Sequence, residues 1–552
     1  MAEYAVVTIE MKLNDIWTDI TADVVGDCDI QYGIMDNDVM GRVADPGSIS
    51  FMLNNSANNS ATKEGYYSPG HANARSGFNI GTEVRLKVVY DGFTMYKFKG
   101  KIPEDGILVL PGIYGPRYTG VMAYDYMDEV FNEDIDLPEL QTNKRMNEIV
   151  EQLVANMQIQ PESTDYDQGQ DIYSTVFDTV SSGTTKVASE FQKVAMCEYG
   201  YIYVKRDGTA GEILRVEGRY TRTGSDLLDL PVCTNESNNI LDSDDNNILD
   251  SDGEIIVDSN IEDAEFDDMV EGLSNYSWGK SIVNRVFGTV YPRYYDTSYV
   301  ALFELRDPIY IEGKSTKENL RGIYKDPNNE SSKITATDLQ IPVANTDYTF
   351  NSLEDGTGSD LTEYMEVTTT LGADQADISI YNTGNTPGYV TKFQIRGKGI
   401  YYYDQVSIKV EDQDSIDDNG IMSLRVNLMY QDDVVEGEGL ANMIKETYKD
   451  PIGKFEQIGF IANKDGKHMF AFLLAEPGDM IKLTEELTGE NAQEYFINGV
   501  SGKISSGANG QIISYQWVLA KKTQVTFWKL GASGYSELQT AGSDDGTARL
   551  AF

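Results

Sequence analysis

Two histidines, His71 and His468, are the side chains in this sequence whose ordinary titration falls near neutral pH. A hydrolytic triad needs a nucleophile, a base and an orienting acid, and no Ser or Cys motif accompanies either histidine. His71 closes Ser68-Pro69-Gly70-His71 and His468 follows Asp465-Gly466-Lys467, so both read as exposed turn residues. The cysteines Cys28, Cys197 and Cys233 lie far apart, without metal-ligand spacing. Cys197, beside Met196 in a helical pattern, reads as a buried free thiol. Gly499-Val500-Ser501-Gly502-Lys503 is too short for a phosphate-cradling loop. Asp and Glu number 89, so no one carboxylate pair of the kind a glycosidase uses stands out. These patterns name no catalytic, cofactor-binding or metal-ligating residue, and they point to a structural protein rather than an enzyme.

One acidic stretch invites a calcium reading. Asn238-Asn239-Ile240-Leu241-Asp242-Ser243-Asp244-Asp245 is nearly repeated by Asn246-Asn247-Ile248-Leu249-Asp250-Ser251-Asp252-Gly253. Oxygen ligands at alternate positions suit Ca²⁺, but Asn247 stands where an EF-hand loop needs Gly, and no Glu closes the loop. A solvated loop or a local duplication fits better, and two copies are too few for a solenoid.

The elements around these residues belong to a chain of 552 residues, long enough for several domains. Hydrophobic residues at 40% suffice for folded cores, and 35 Tyr and 50 Gly against 15 Pro suit strands and turns. Lys+Arg of 44 against Asp+Glu of 89 leaves a net charge of −45. Gripping a nucleic-acid backbone takes clustered cations, so that role is disfavoured. An acidic wall facing a duplex would repel it and leave it free to slide; a generally acidic, soluble surface is the plainer account. The start Met1-Ala2-Glu3 lacks a basic region followed by an apolar one, and no apolar run approaches the ~18 residues of a membrane span. The expectation is a soluble protein without leader or membrane segment.

Residues 1–134 read as a β-domain. It includes Trp17-Thr18-Asp19-Ile20-Thr21-Ala22-Asp23-Val24, Pro46-Gly47 leading into Phe51 and Asn54, and an Asp91-Gly92 hairpin. In residues 135–222 the period changes: Met146, Ile149, Val150, Leu153, Val154 and Met157 form one helical stripe, and Val187, Phe191, Val194 and Ala195 another. Strands 201–204 and 212–216 follow around an Asp207-Gly208 turn. Residues 223–268 form the acidic Asn/Asp/Ser linker, and 269–400 read as a β-sandwich-like domain containing Ser281–Val290, Tyr348–Phe350 and Ala376–Ile380. Residues 401–552 read as a second β-domain with a helix through Leu440, Met443, Ile444 and Tyr448, ended by Pro451. In Val390–Gly397, Thr391, Phe393 and Ile395 alternate with Lys392, Gln394 and Arg396, which predicts one buried face.

Several of these pieces share an order with a known family. Phe393-Gln394-Ile395-Arg396-Gly397-Lys398-Gly399, Val410-Glu411-Asp412, Leu473-Leu474-Ala475-Glu476-Pro477-Gly478-Asp479 and Ile497-Asn498-Gly499-Val500 precede a tryptophan-bearing strand at Trp517. Trp528-Lys529-Leu530-Gly531 and Ser536-Glu537-Leu538 follow. This order, with the Trp17–Val24 and Pro46–Asn54 starts, resembles phage tail hub proteins, often labelled minor tail or tail-associated proteins. The resemblance implies a mainly β, multidomain fold with inserted α+β: two tube-like β-barrel domains drawn mainly from 1–134 and 400–520, a small α/β domain and a β-sandwich insertion. It further implies a homotrimer at the tail tip or baseplate, assembled in the host cytoplasm. Its partners would be distal tail, tail tube and tape measure proteins and tip or receptor-binding fibres, with DNA only as passing cargo and no membrane span. Two other readings stay open at this stage, a six-fold distal tail protein and a carbohydrate-binding β-sandwich adhesin. Subunit count separates the first from a hub; a glycan array tests the second.

Overall fold

The computed structural model describes residues 5–36, 38–112, 115–135, 140–177, 185–206, 208, 211–223, 227–231, 261–266, 272–273, 276–507, 510–522, 528–529 and 549–550. The acidic repeat of 238–253, Cys233 and the 530–538 segment lie outside the described residues. The chain is mainly β and multidomain, with separate apolar cores.

The N-terminal block supplies β1 (Val6–Leu13), β2 (Ile16–Asp19), β3 (Val24–Gly33), β4 (Ser48–Asn54), β5 (Glu83–Tyr90), β6 (Phe93–Lys101), β7 (Ile107–Leu110) and β8 (Tyr118–Tyr124). Period-two alternation sets their faces: β1 buries Val7, Ile9, Met11 and Leu13, and β5 buries Val84, Leu86, Val88 and Tyr90. Asp91 and Gly92, both at positive φ, turn β5 into β6 as the Asp-Gly pair predicts.

This block does not fold by itself. β3 pairs antiparallel with Glu490–Gly507, in register from Cys28↔Ile504 to Gly33↔Gly499, so the two ends of the chain share one sheet and one core. The path runs Gly272–Leu273, Gln457–Ile461, Gly510–Lys521, Glu490–Gly507, β3, β4, β8, β6, β5, β1, β2. Among the described residues it is an open path rather than the closed barrels expected. Its end strands, Gly272–Leu273 and β2, do not pair with each other, and midway the outer edge of β8 is divided: Tyr118–Val121 pair with β7, and only Tyr124 meets β6, at Lys101.

A second core gathers the helices Tyr126–Asn132, Met146–Ala155 and Val187–Glu198 against the Tyr201–Arg206/Glu212–Glu217 hairpin. The stripes predicted from sequence, Met146 to Val154 and Val187 to Ala195, are its buried positions. Strands Val406–Glu411 and Ser423–Leu428 flank Arg285–Val290 here, and helix Val434–Tyr448 covers them. The 406–448 stretch therefore joins the helical core, and the strands that its C-terminal neighbours give to the main sheet begin with Gln457–Ile461.

Between Val290 and Val406 the chain makes a two-sheet sandwich with its own core, including Leu302, Phe350, Ile378, Val390, Phe393 and Ile395. Its central strand is Gly388–Tyr402. The single buried face expected at 391–395 is shifted at its start: Thr349 pairs with Lys392 and Phe350 with Val390, leaving Thr391 as a bulge, so Val390 and Phe393 both face inward.

Charged groups buried between the units lock them together. Lys97 of β6, 1% exposed, donates through Nζ to the carboxylate of Glu476 and to the carbonyls of Leu473 and Ala475, at 3.2 and 3.3 Å, where helix Gly466–Leu474 ends. Arg206, as fully buried, holds Glu212 at 2.9 Å and Asp125 at 3.3 Å, and its backbone N–H donates to Glu476. Tyr32 of β3 donates its hydroxyl to Glu476 at 2.9 Å.

Removing one member of such a cluster strands the others in a dry interior. Lys97→Met is expected to lower unfolding free energy by about 3–5 kcal/mol, read by urea denaturation followed with far-UV circular dichroism. Burial pushes Glu212 up to about 7 despite Arg206, with Asp125 adding to the rise. A carboxyl held above its unfolded value gives stability that is complete below pH 4.5 and lost as pH rises through 7. The wild-type melting temperature should therefore fall between pH 5 and 8 by more than that of Glu212→Gln, a difference worth at most about 3 kcal/mol.

Candidate functional site

The main sheet has two faces of opposite character, and the joint between the chain ends makes both continuous. Cross-strand partners lie on one face. One row, Ile49–Ile30–Gly502–Tyr515–Phe460, is buried in the core. Gly502 is required there, because a Cβ would meet the Tyr515 ring at 2.7 Å.

The rows on either side of it point the other way. They read Ser50–Asp29–Lys503–Ser514–Ile461 and Ser48–Gln31–Ser501–Gln516–Gly459. Except for Ser48 and Ser50, their residues line an open concavity of about 530 Å³ built from β3 and the three C-terminal strands, together with residues of the row between them. Gln516 Nε2 donates to Gln457 Oε1 at 2.7 Å, and Lys503 pairs with Asp27 at 2.7 Å. The Lys503 hydrogen bond holds the Asp27 carboxyl below its ordinary range. Asp29 and Lys503 are the ionised side chains of these two rows, with Asp27 paired to Lys503 beside them, so the face is largely polar and carries little net charge. The acidic wall imagined from the net charge is absent from it. What the face withholds from phosphate is cations.

At the far edge of β8 the exposed side changes again. Leu108 and Leu110 of β7 stand opposite Gly120 and Tyr118, with Met122 beside them, and Leu108 is 62% exposed. No Asp, Glu, Lys, Arg or His occurs between Asp105 and Arg117. Among the described residues the other edge of β7 is unpaired, and an apolar strand edge without charge is the arrangement that isolated sheets avoid and that joined sheets use.

The residues weighed for chemistry lie elsewhere and apart from one another. His71 is exposed in its turn, where Nδ1 accepts from Asn73 N–H at 3.1 Å. His468 is not an exposed turn residue: it is fully buried in helix Gly466–Leu474. Asp465 is the N-cap of that helix and accepts from His468 N–H at 3.0 Å, with His468 Nδ1 at 2.6 Å. The helix is apolar nearly all round, so it carried no amphipathic period to announce it. Cys28 and Cys197 are buried free thiols, both pushed up to about 12 by burial, far from thiolate chemistry at neutral pH.

No family model matches this sequence, and no curated protein matches it. Among solved structures, the 43 kDa tail protein of prophage MuSo2 from Shewanella oneidensis aligns over 93% of this chain and 98% of its own, at 8% identity and a TM-score of 0.44. The tail protein from Neisseria meningitidis MC58 aligns over 93% and 96%, at 9% identity and a TM-score of 0.41. An E. coli component of the type VI secretion system, described as structurally similar to T4 bacteriophage tail proteins, aligns over 93% and 76%, at 8% identity and a TM-score of 0.34. Likenesses this distant decide nothing about this chain.

If the concave face avoids nucleic acid by lacking cations, adding them should create affinity. Ser50→Lys with Gln516→Lys is expected to bind a short DNA duplex at low salt where the wild type does not. The log–log salt dependence should have a slope of about −2 for the two added charges, read by fluorescence anisotropy. Binding by the wild type at the same salt would contradict it.

Proposed function

We propose that this chain is a structural subunit of a phage tail, the hub of its tip or baseplate, in which three copies form a ring that continues or closes the tail tube. The observation that carries this reading is the joint between β3 and Glu490–Gly507. On one side of it stand β3, β4 and β8, continued by β7 and by β6, β5, β1 and β2; on the other stand Glu490–Gly507, Gly510–Lys521, Gln457–Ile461 and Gly272–Leu273, with Met480–Glu485 and Glu265–Phe266 beside them. One chain thus sets an N-terminal and a C-terminal group of strands side by side with a shared polar face. Three chains joined edge to edge in the same manner would place six such units around a channel, matching a six-fold tube on one side and a three-fold tip on the other. The β7 edge, apolar and uncharged in a chain of net charge −45, is where two copies can approach with least repulsion.

In this reading the two units are the tube-like domains that the sequence resemblance implies, and the polar face lines the channel. Serine and glutamine side chains with Lys503 neutralised by Asp27 would let DNA pass without holding it. The role is mechanical, with no catalytic step assigned. The partners would be distal tail, tail tube and tape measure proteins and tip or receptor-binding fibres, in a virion assembled in the host cytoplasm.

The test is the mass of the purified protein in solution together with class averages of the same sample by electron microscopy. The expected result is a three-fold ring with an open centre and three times the 61.4 kDa of one chain. A six-fold ring would transfer the chain to the distal tail role, and a monomer at every concentration reached would overturn the ring.

A further inference from the structure

The sandwich leaves and rejoins the α/β unit through neighbouring strands, with Val290 paired to Val406. Residues 291–405 are therefore an excursion that the pairing beneath them does not require. At the base of this excursion Arg293–Tyr295 pairs with Ile400–Tyr402 and sets Tyr294 opposite Tyr401. Their rings stand on one face with centroids 5.9 Å apart, tilted by 39°. Tyr403 N–H donates to the Pro292 carbonyl at 3.1 Å and carries the ladder one step further, giving Tyr403 the parity of Tyr401.

The arrangement is held from below. Tyr401 donates its hydroxyl to Asp296 Oδ2 at 2.6 Å, and Asp296 N–H donates to the Gly399 carbonyl at 2.9 Å. A Cβ at Gly399 would meet the Tyr401 hydroxyl at 2.6 Å and Asp296 Oδ2 at 3.0 Å, so only glycine lets that ring lie across the strand. Tyr294 and Tyr403 remain 49% and 61% exposed, and among the described residues neither hydroxyl has a protein partner.

We propose that this face is a binding platform for a neutral sugar chain. The C–H face of a pyranose packs on the exposed rings of Tyr294 and Tyr403, as apolar surface packs on any aromatic ring. The second oxygen of Asp296 accepts from sugar hydroxyls, and the phenols of Tyr294 and Tyr403 donate or accept at the rim. A chain of net charge −45 repels anionic glycans, which selects an uncharged one. A protein partner fits less well: the Tyr294 and Tyr401 rings stand beside the Asp296 carboxylate rather than among the aliphatic side chains that fill an interface core. Fixing Tyr401 and Asp296 in advance removes part of the ordering cost of binding. The platform stands on the excursion alone and does not depend on the ring.

The test titrates the full chain with hexaoses of glucose, N-acetylglucosamine, galactose and mannose, followed by saturation-transfer NMR and calorimetry. At least one is expected to bind with a dissociation constant on the order of millimolar. Tyr294→Ala should weaken it about tenfold and Asp296→Asn about fivefold. Tyr310→Ala, on the same sandwich but paired with Tyr389, should leave it unchanged. Failure of all four sugars to bind, or binding that survives Tyr294→Ala, overturns the proposal. So does a Tyr294→Ala variant altered only in oligomeric mass, which would assign the rings to a subunit contact.

Discussion

Lys97 and Arg206 are cations with almost no access to water, and the rest of the molecule is arranged so that they are never left alone. Their partners come from distant parts of the chain: Asp125 after β8, Glu212 from the 201–217 hairpin, and Glu476 after helix Gly466–Leu474. Hydrophobic contacts tolerate small displacements, whereas a buried charge that loses its partner costs several kcal/mol. The N-terminal strands, the hairpin and the C-terminal strands must therefore reach their places together. Burial outweighs pairing with Arg206 for both Asp125 and Glu212, each raised above its ordinary value, and this is why Glu212 holds its proton toward neutrality. Beside the cluster, Arg42 lies over the rings of Tyr199 and Tyr201 at 3.4 and 4.5 Å, and Arg222 lies 3.8 Å from the centre of the Tyr201 ring. That column extends the lock by cation–π contact.

The lock permits the joint that defines the sheet. At Gly33↔Gly499 two backbones approach so closely that a Cβ on Gly33 would meet the Asn498 carbonyl at 2.7 Å, and Gly33 sits at φ +85°. Beyond that point the strands alternate in phase, so the polar rows and the core rows each run unbroken across segments from both ends of the chain. A slip of one residue at the joint would turn Ile30 and Tyr32 outward and Asp29 and Gln31 into the core. The buried charges and the glycine pair fix the register against that slip.

Local periods were legible in the sequence, and distant pairings were not. The stripe Met146–Val154, the Asp91-Gly92 turn and the alternation of β1 and β5 each depend on neighbours a few residues away. The joint between β3 and residues 499–504 has no local signature, because either strand's alternation would suit many partners. The resemblance supplied two β-rich ends without saying that they share a sheet. His468 was misplaced because Asp465-Gly466-Lys467 spells a turn and a helix N-cap equally well, and the apolar sequence after it has no polar face. The neutral concave face was hidden by the total charge: −45 for the whole chain says nothing about Ser48, Gln31, Ser501 and Gln516 in one row. Thr391 shows the limit in small, since one bulged residue reverses a phase that the sequence alone counts straight through.

The connectivity is nested, and nesting separates what can vary from what cannot. After β8 the chain makes the helices and the 201–217 hairpin and touches the main sheet again at Glu265–Phe266 and Gly272–Leu273; it then leaves between Trp278 and Gly453, which pair, and that excursion in turn encloses the sandwich between Val290 and Val406. Each inner unit leaves and re-enters at a paired site, so lengthening or replacing it adds only a slowly growing loop-closure cost. The sandwich has its own core and no charge in the buried cluster. Its surface can therefore change chemically while Lys97, Arg206 and the β3 joint stay as they are. The main sheet has no such freedom, because each of its rows crosses the joint and shares the register set there. Chemical change is thus tolerated on the excursion, where Tyr294 and Asp296 stand, and constrained on the sheet.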